Sequence, residues 1–151
     1  MKAFLQNPVL LSAFFSWLSS QFIKTVISLL SGRISSFKEL LELLFWRTGK
    51  MPSSHSALVC SICTSIGIRD GVDSNIFVLA CCFALVVIRD AVGVRRSSGI
   101  QAKTLNKLGN ALKEKEIVSF TPVKEVQGHT PLEVLVGGLL GCFIALAFSM
   151  L

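Results

Sequence analysis

Charge is what this sequence has least of. Only 16% of its 151 residues are Asp, Glu, Lys or Arg, against about a quarter in an ordinary soluble domain. Acids are the scarcer sign, nine against fifteen bases, which leaves a net charge of +6. There is no tyrosine, and there are only two histidines and four prolines. The low charge, with 52% hydrophobic residues and a mean hydropathy of +0.66, argues against a soluble globular enzyme. The apolar residues gather in blocks, the pattern of a polytopic membrane protein. In so apolar a chain the excess of base is read as cytoplasmic-side loops and anionic membrane lipid, not as nucleic-acid binding.

Other absences narrow the reading. The first apolar run is not followed by an A-x-A-like site, so it is read as a retained span and not as a cleaved signal. No internal repeat or low-complexity tract is present. No H-E-x-x-H-type spacing accompanies the two histidines, so no metal or other cofactor is expected. The five cysteines (Cys60, Cys63, Cys81, Cys82, Cys142) fall inside apolar runs. Their odd number and setting argue against a disulfide framework, and they read as small packing residues.

What is present is an all-α chain forming one integral membrane domain over residues 1–151. The expected architecture is a polytopic helix bundle of about four spans, with an interfacial amphipathic helix and a basic surface helix. The first span covers Pro8–Leu30 and carries Gln21 and Lys24 on roughly one face. Lys24 has two readings, snorkelling to the nearer end or a cation aimed into a polar pocket. Ser35-Ser36-Phe37-Lys38-Glu39 reads as a capping box opening a short amphipathic helix to Trp46. The second apolar helix runs from Pro52 to Arg69 and the third from Asn75 to about Val94. Ile100, Leu105, Leu108 and Leu112, interleaved with Lys103, Lys107, Lys113 and Lys115, predict a basic surface helix within 97–116. A loop follows to residue 128, and the last span is Leu132–Leu151. Gly137-x-x-x-Gly141 inside it allows close helix packing and is compatible with a homo-oligomer.

Threading four spans alternately puts Lys2 and Arg69 on one side. Arg33, Lys38, Arg47, Lys50, Arg95, Arg96, Lys103, Lys107, Lys113, Lys115 and Lys124 fall on the other. With the candidate site residues Arg47, Lys50, Arg95 and Arg96 set aside, the count is still seven against two. The positive-inside rule makes the richer side cytoplasmic. His55, His129 and those four cations then share that side, with Lys24 in the nearer half of its span.

Two histidines beside several cations suit phosphate ester chemistry. Arginines and helix N-termini stabilise equatorial oxygens. Ser53 and Ser54, at the mouth of the second apolar helix, add donors. One imidazole can attack phosphorus while the other protonates the leaving oxygen. Glu133 follows His129 by four residues and has two readings: a carboxylate that orients the imidazole, or the acid of the Thr130-Pro131-Leu132-Glu133 capping box.

The Pro52-Ser53-Ser54-His55 stretch resembles the P-S-G-H motif of the type 2 phosphatidic acid phosphatase and vanadium-dependent haloperoxidase superfamily. His129-x-x-x-Glu133 resembles the H-x-x-x-D end of its third motif. Gly49–Ala57, Asp90–Asn106 and Gly128–Val134 together resemble the superfamily's small divergent membrane branch. The resemblance implies metal-independent phosphomonoester hydrolysis through a phosphohistidine. It makes His129 the nucleophile, Glu133 its orienter and His55 the general acid. Ser53, Ser54 and Arg95 or Arg96 would bind phosphate, with Lys24 and Arg47 as further substrate-binding cations and Asp90, Gln101 and Asn106 in support; Lys50 stands where the branch usually has Gly and is a substrate-binding candidate by its charge. Departures are plain. Lys24 is followed by Ser31 where the first motif has Arg, Ser54 replaces Gly, and Glu133 replaces Asp. The expected function is hydrolysis of a lipid phosphomonoester, phosphatidylglycerophosphate before phosphatidic acid or an isoprenyl phosphate. The alternative is a non-enzymatic lipid-phosphate binder or membrane assembly protein.

Overall fold

A computed structural model describes residues 2–31, 51–125 and 128–150. The expected amphipathic helix, Arg47 and Lys50 lie outside the described residues. Everything described is helix or connecting loop. A short α1 (Lys2–Leu5) leads into α2 (Pro8–Leu30). Asn7 caps α2 by accepting from the Val9 amide, with Pro8 in the first turn, where its missing N–H costs nothing. Then come α3 (Ser54–Asp70), α4 (Asn75–Arg89), one turn of π-helix (Asp90–Val94), α5 (Arg95–Glu114) and α6 (Pro131–Ser149).

Among the described residues, three helical runs are long and apolar enough to cross a membrane: Pro8–Leu30, the continuous Asn75–Glu114, and Pro131–Ser149. Of the four expected spans, the second, α3, falls short of that measure. With 17 residues, α3 is about 25 Å long against a hydrocarbon core of about 30 Å, and it is rich in Ser, Cys and Thr. It is nevertheless the hub, the helix against which α2, α4 and α6 all pack. The basic helix is corrected too. It does not start afresh at residue 97 but continues α4 through the π-turn. No proline falls between residues 53 and 121 to stop it, and Gly93 is accommodated within the π-turn.

Alternation of direction is visible in the contacts. At one end, Lys24 near the close of α2 meets Ser54 at the start of α3. The Ser53 amide there bonds the Glu133 carbonyl in the first turn of α6, and the His129 amide bonds the Ala91 carbonyl after α4. At the other end Ser12 meets Ser65 and Phe15 stacks on Phe148.

The bundle is built from small and hydroxyl side chains. Ser12, Ser16, Ser20, Lys24 and Ser28 form a four-residue repeat along α2, all buried. Ala57, Ser61 and Ser65 of α3 and Gly137, Gly141 and Ala145 of α6 continue the pattern. Large residues point outward, among them Phe14, Phe22, Phe83, Leu135 and Phe143. Lipid solvates apolar surface as well as a protein core does, so bundles of this kind are held by close backbone approach and interhelical hydrogen bonds. A Cβ on Gly137 would lie 2.3 Å from the Ser53 carbonyl oxygen, so α3 and α6 cross there nearly in backbone contact. The glycine pair is thus used inside the chain.

Beyond the bundle, α5 is clasped by the returning loop. Asn106 is the clasp: its amide donates to the Val123 carbonyl (2.9 Å) and to Glu125 Oε1 (3.0 Å), and accepts from the Val123 amide. Phe120 lies against Gly109. The loop therefore returns along α5 and delivers residue 128 beside the π-turn.

Candidate active site

Four chain segments meet at the end of the bundle where α3 begins. From α2 comes Lys24, only 3% exposed. Its ammonium donates to Gln21 Oε1 (3.0 Å) and Ser54 Oγ (3.2 Å). Lys24 is thus held inside the bundle, between α2 and α3, and does not reach out to the helix end. Two of its three N–H donors are used by these bonds. Replacing Lys24 by Met should keep the fold, because it removes a buried charge at similar volume. The check is the melting midpoint of the variant in detergent micelles, which should not fall.

The second segment is the mouth of α3. Ser53 is the N-cap, accepting from the Ser56 amide (3.4 Å) and the Ser56 hydroxyl (2.9 Å). Ser54 faces Lys24, and His55, in the first turn, is exposed. The charges of Arg95, His129, Lys24 and Asp90 are all within electrostatic reach of His55. A helix N-terminus beside two serines and a buried lysine favours negative charge in physical terms.

The third is the π-turn. In it the Arg95 amide reaches back five residues to the Asp90 carbonyl. The Ala91 carbonyl accepts the His129 amide (3.2 Å). Arg95 Nε donates to Asp90 Oδ2, and Arg95 lies within electrostatic reach of both histidines. Arg96 is exposed, and its backbone abuts Gly128, where a Cβ would stand 2.2 Å from the Arg96 nitrogen. Of the two arginines, then, the structure brings Arg95 to the histidines. Gln101 is exposed and donates to Ser97 (3.4 Å). Neither Gln101 nor Asn106 is brought into the cluster.

The fourth is the entry to α6. His129 is 4% exposed, and its Nδ1 lies 3.2 Å from Glu133 Oε2. The same oxygen accepts the Thr130 amide (2.9 Å), while Thr130 Oγ1 accepts the Glu133 amide (3.4 Å). The two readings of Glu133 are therefore both realised: one carboxylate closes the capping box and holds the imidazole. Burial pushes the His129 imidazole below its usual value. Lys24 and Arg95 add to that, and Glu133 opposes it. Among the described residues there is no group of three or more His, Cys, Asp or Glu placed to hold a metal ion.

The π-turn and the Ala91 carbonyl were beyond sequence reasoning. The four-residue serine repeat through Lys24 was a signal that could have placed Lys24 on the buried face.

Residues 5–144 match the family model described as the Divergent PAP2 family. The chain is also similar to the uncharacterized membrane protein YuiD of Bacillus subtilis (strain 168), 35% identical over 160 aligned positions that cover 96% of each chain. No solved structure matches.

Proposed function

The chain belongs to the divergent PAP2 family, and on that premise we propose that this membrane protein hydrolyses a lipid phosphomonoester through a phosphohistidine on His129. The observation that carries the reading is the His129–Glu133 pair set against a buried Lys24 and the mouth of α3. With Nδ1–H donating to Glu133, the Nε2 lone pair is free to attack phosphorus. The P–O bond to the lipid breaks as the N–P bond forms, and His55 gives its proton to the departing oxygen. Water then attacks the phosphohistidine, His55 takes its proton, and inorganic phosphate leaves with His129 restored. Lys24, Arg95 and the N-terminal amides of α3 neutralise the equatorial oxygens.

Within this reading α3 carries the chain back through the bundle as a fourth, shorter crossing. The basic residues of α5 support a site on the cytoplasmic side, facing anionic lipid. Phosphatidylglycerophosphate, whose terminal phosphate is exposed, is the preferred substrate. The test is phosphate release from a panel of phosphatidylglycerophosphate, phosphatidic acid and isoprenyl phosphates by the purified full chain in vesicles. No release from any of them would favour a non-enzymatic lipid-phosphate binder.

The pH profile follows from His129. Its protonated form has no lone pair, so activity falls as pH drops through its value, which burial holds below 6.5. The acid limb of kcat/KM should lie below 6.5 accordingly. Glu133→Gln removes the opposing carboxylate, so the limb should move to still lower pH while kcat falls. The same depression makes the fold lose stability as pH falls past the unfolded-state value, because the unfolded chain binds that proton more tightly.

A further inference from the structure

Among the described residues, the packing around α3 leaves one side of it open, and that side begins at His55. Each residue along a helix turns the face by ~100°. Ser54 and Ser65 mark the direction of α2, through Lys24 and Ser12. Ala57, Cys60 and Thr64 mark α6, through Gly141, Gly138 and Cys142. Cys63 and Gly67 mark α4, through Cys81 and Phe77. Taking α2 as zero, α6 lies at roughly 280° and α4 at roughly 200°, so on the side away from α6 an arc of roughly 200° separates α2 from α4. Among the described residues, α2 packs along α6 but not along α4. His55, Ile62 and Ile66 point to the middle of that arc, and Leu58 to its α2 side. The three apolar residues are half-buried and His55 is exposed, which is the profile of a groove floor with a polar head.

We propose that this groove is the tail subsite for a single alkyl chain whose phosphate head lies at His55. Three observations commit it to that occupant. Its head carries the cations Lys24 and Arg95 within electrostatic reach of His55, complementary to a phosphomonoester. Its floor beyond His55 is wholly aliphatic. From His55 to Ile66 it runs about 16 Å, close to half of the roughly 30 Å hydrocarbon core, the depth of one leaflet. The walls, α2 and the run containing α4, are both candidate spans, so the groove opens sideways to lipid. A substrate can then enter from the bilayer without leaving it, and the enzyme selects a headgroup bearing one chain along α3. The inference deepens the phosphatase reading, on which its account of substrate entry rests.

The experiment uses the full chain in phosphatidylcholine vesicles with a tetradecyl monophosphate carrying a photoactivatable diazirine at mid-chain, its adducts mapped by mass spectrometry. Adducts are expected on α3 between residues 58 and 66 and on the flanking faces of α2 and α4. Excess unlabelled tetradecyl phosphate should suppress them roughly tenfold, and tetradecanol should not. Ile62→Trp, which fills the floor, should cost a similar factor in adduct yield. Adducts scattered over lipid-facing Phe83, Leu135 and Phe143, or equal suppression by the alcohol, would overturn the subsite. So would adducts absent from α3 alongside cross-links between two copies, which would show the groove filled by a second chain. Because labelling needs no turnover, the two claims separate: protected adducts without phosphate release support the groove and sink the hydrolase, and release with scattered adducts does the reverse.

Discussion

His129→Ala should lower phosphate release by roughly 10³-fold or more while the protein stays helical and folded. The fold should tolerate the change because the backbone contact that seats this residue, its amide on the Ala91 carbonyl, does not involve the side chain. The decisive readout is the intermediate. Rapid quenching of the wild-type chain should trap an acid-labile, base-stable phosphoryl group, and the variant should show none. His55→Ala should behave differently. With a substrate whose leaving group needs no proton, such as p-nitrophenyl phosphate, the phosphoryl group should still form, then persist, because no base activates the water. Glu133→Gln should fall between them, slowing formation without abolishing it, since the amide can still accept the Thr130 amide but holds the imidazole less well. Undiminished release by His129→Ala would remove the phosphohistidine from the mechanism.

What could be read in the sequence about this site was its chemistry, and what could not was its architecture. Pro8, Pro131 and the serines at 53 and 54 mark helix starts by local rules of capping, which act over a few residues and so survive in one dimension. The capping box at Thr130 was legible for the same reason. That Glu133 also holds His129 needed the helix to start at residue 131, which the proline fixes. Lys24 was ambiguous because the cost of a lysine in a span depends on what stands thirty residues away, at Ser54. Asn106 and Gln101 sit in one motif-like stretch with Asp90 and Arg95, yet a 20-residue helix carries them away from the histidines, so linear proximity to Arg95 misled. The π-turn left no mark in composition. Its consequence is nonetheless large, since the Ala91 carbonyl is what anchors the backbone of His129. The second expected span does not stand out by hydropathy because the polar centre of the bundle, carried on α3, dilutes the hydropathy of the helix that organises it.

That centre makes the sharpest structural prediction. Alanine is favoured over glycine inside a helix by about 1 kcal/mol, so Gly141→Ala should stabilise the protein wherever a methyl group fits. Here it does not fit: the new Cβ would lie 2.1 Å from the Ala57 carbonyl oxygen, 2.8 Å from its carbon and 3.0 Å from its Cα. Those are backbone atoms of a helix held on three sides, and Ala57 itself is fully buried, so no rotamer change relieves the clash. The helices must part along their whole crossing, which also strains the Ser53–Glu133 backbone bond at the site. Overpacking of this kind costs about 1–3 kcal/mol or more, and in a chain of this size each kcal/mol lowers the melting midpoint by about 2–4 °C. Gly141→Ala should therefore melt several degrees below wild type in detergent micelles and lose phosphate release with it. Gly138→Ala is the internal control. Its nearest neighbour is the Cys60 sulfur at 3.2 Å, the end of a side chain that can swing aside, so helix propensity should prevail and the midpoint should hold or rise. If both alanines behave alike, the close crossing of α3 and α6 is wrong, and with it the placement of His129 beside the mouth of α3.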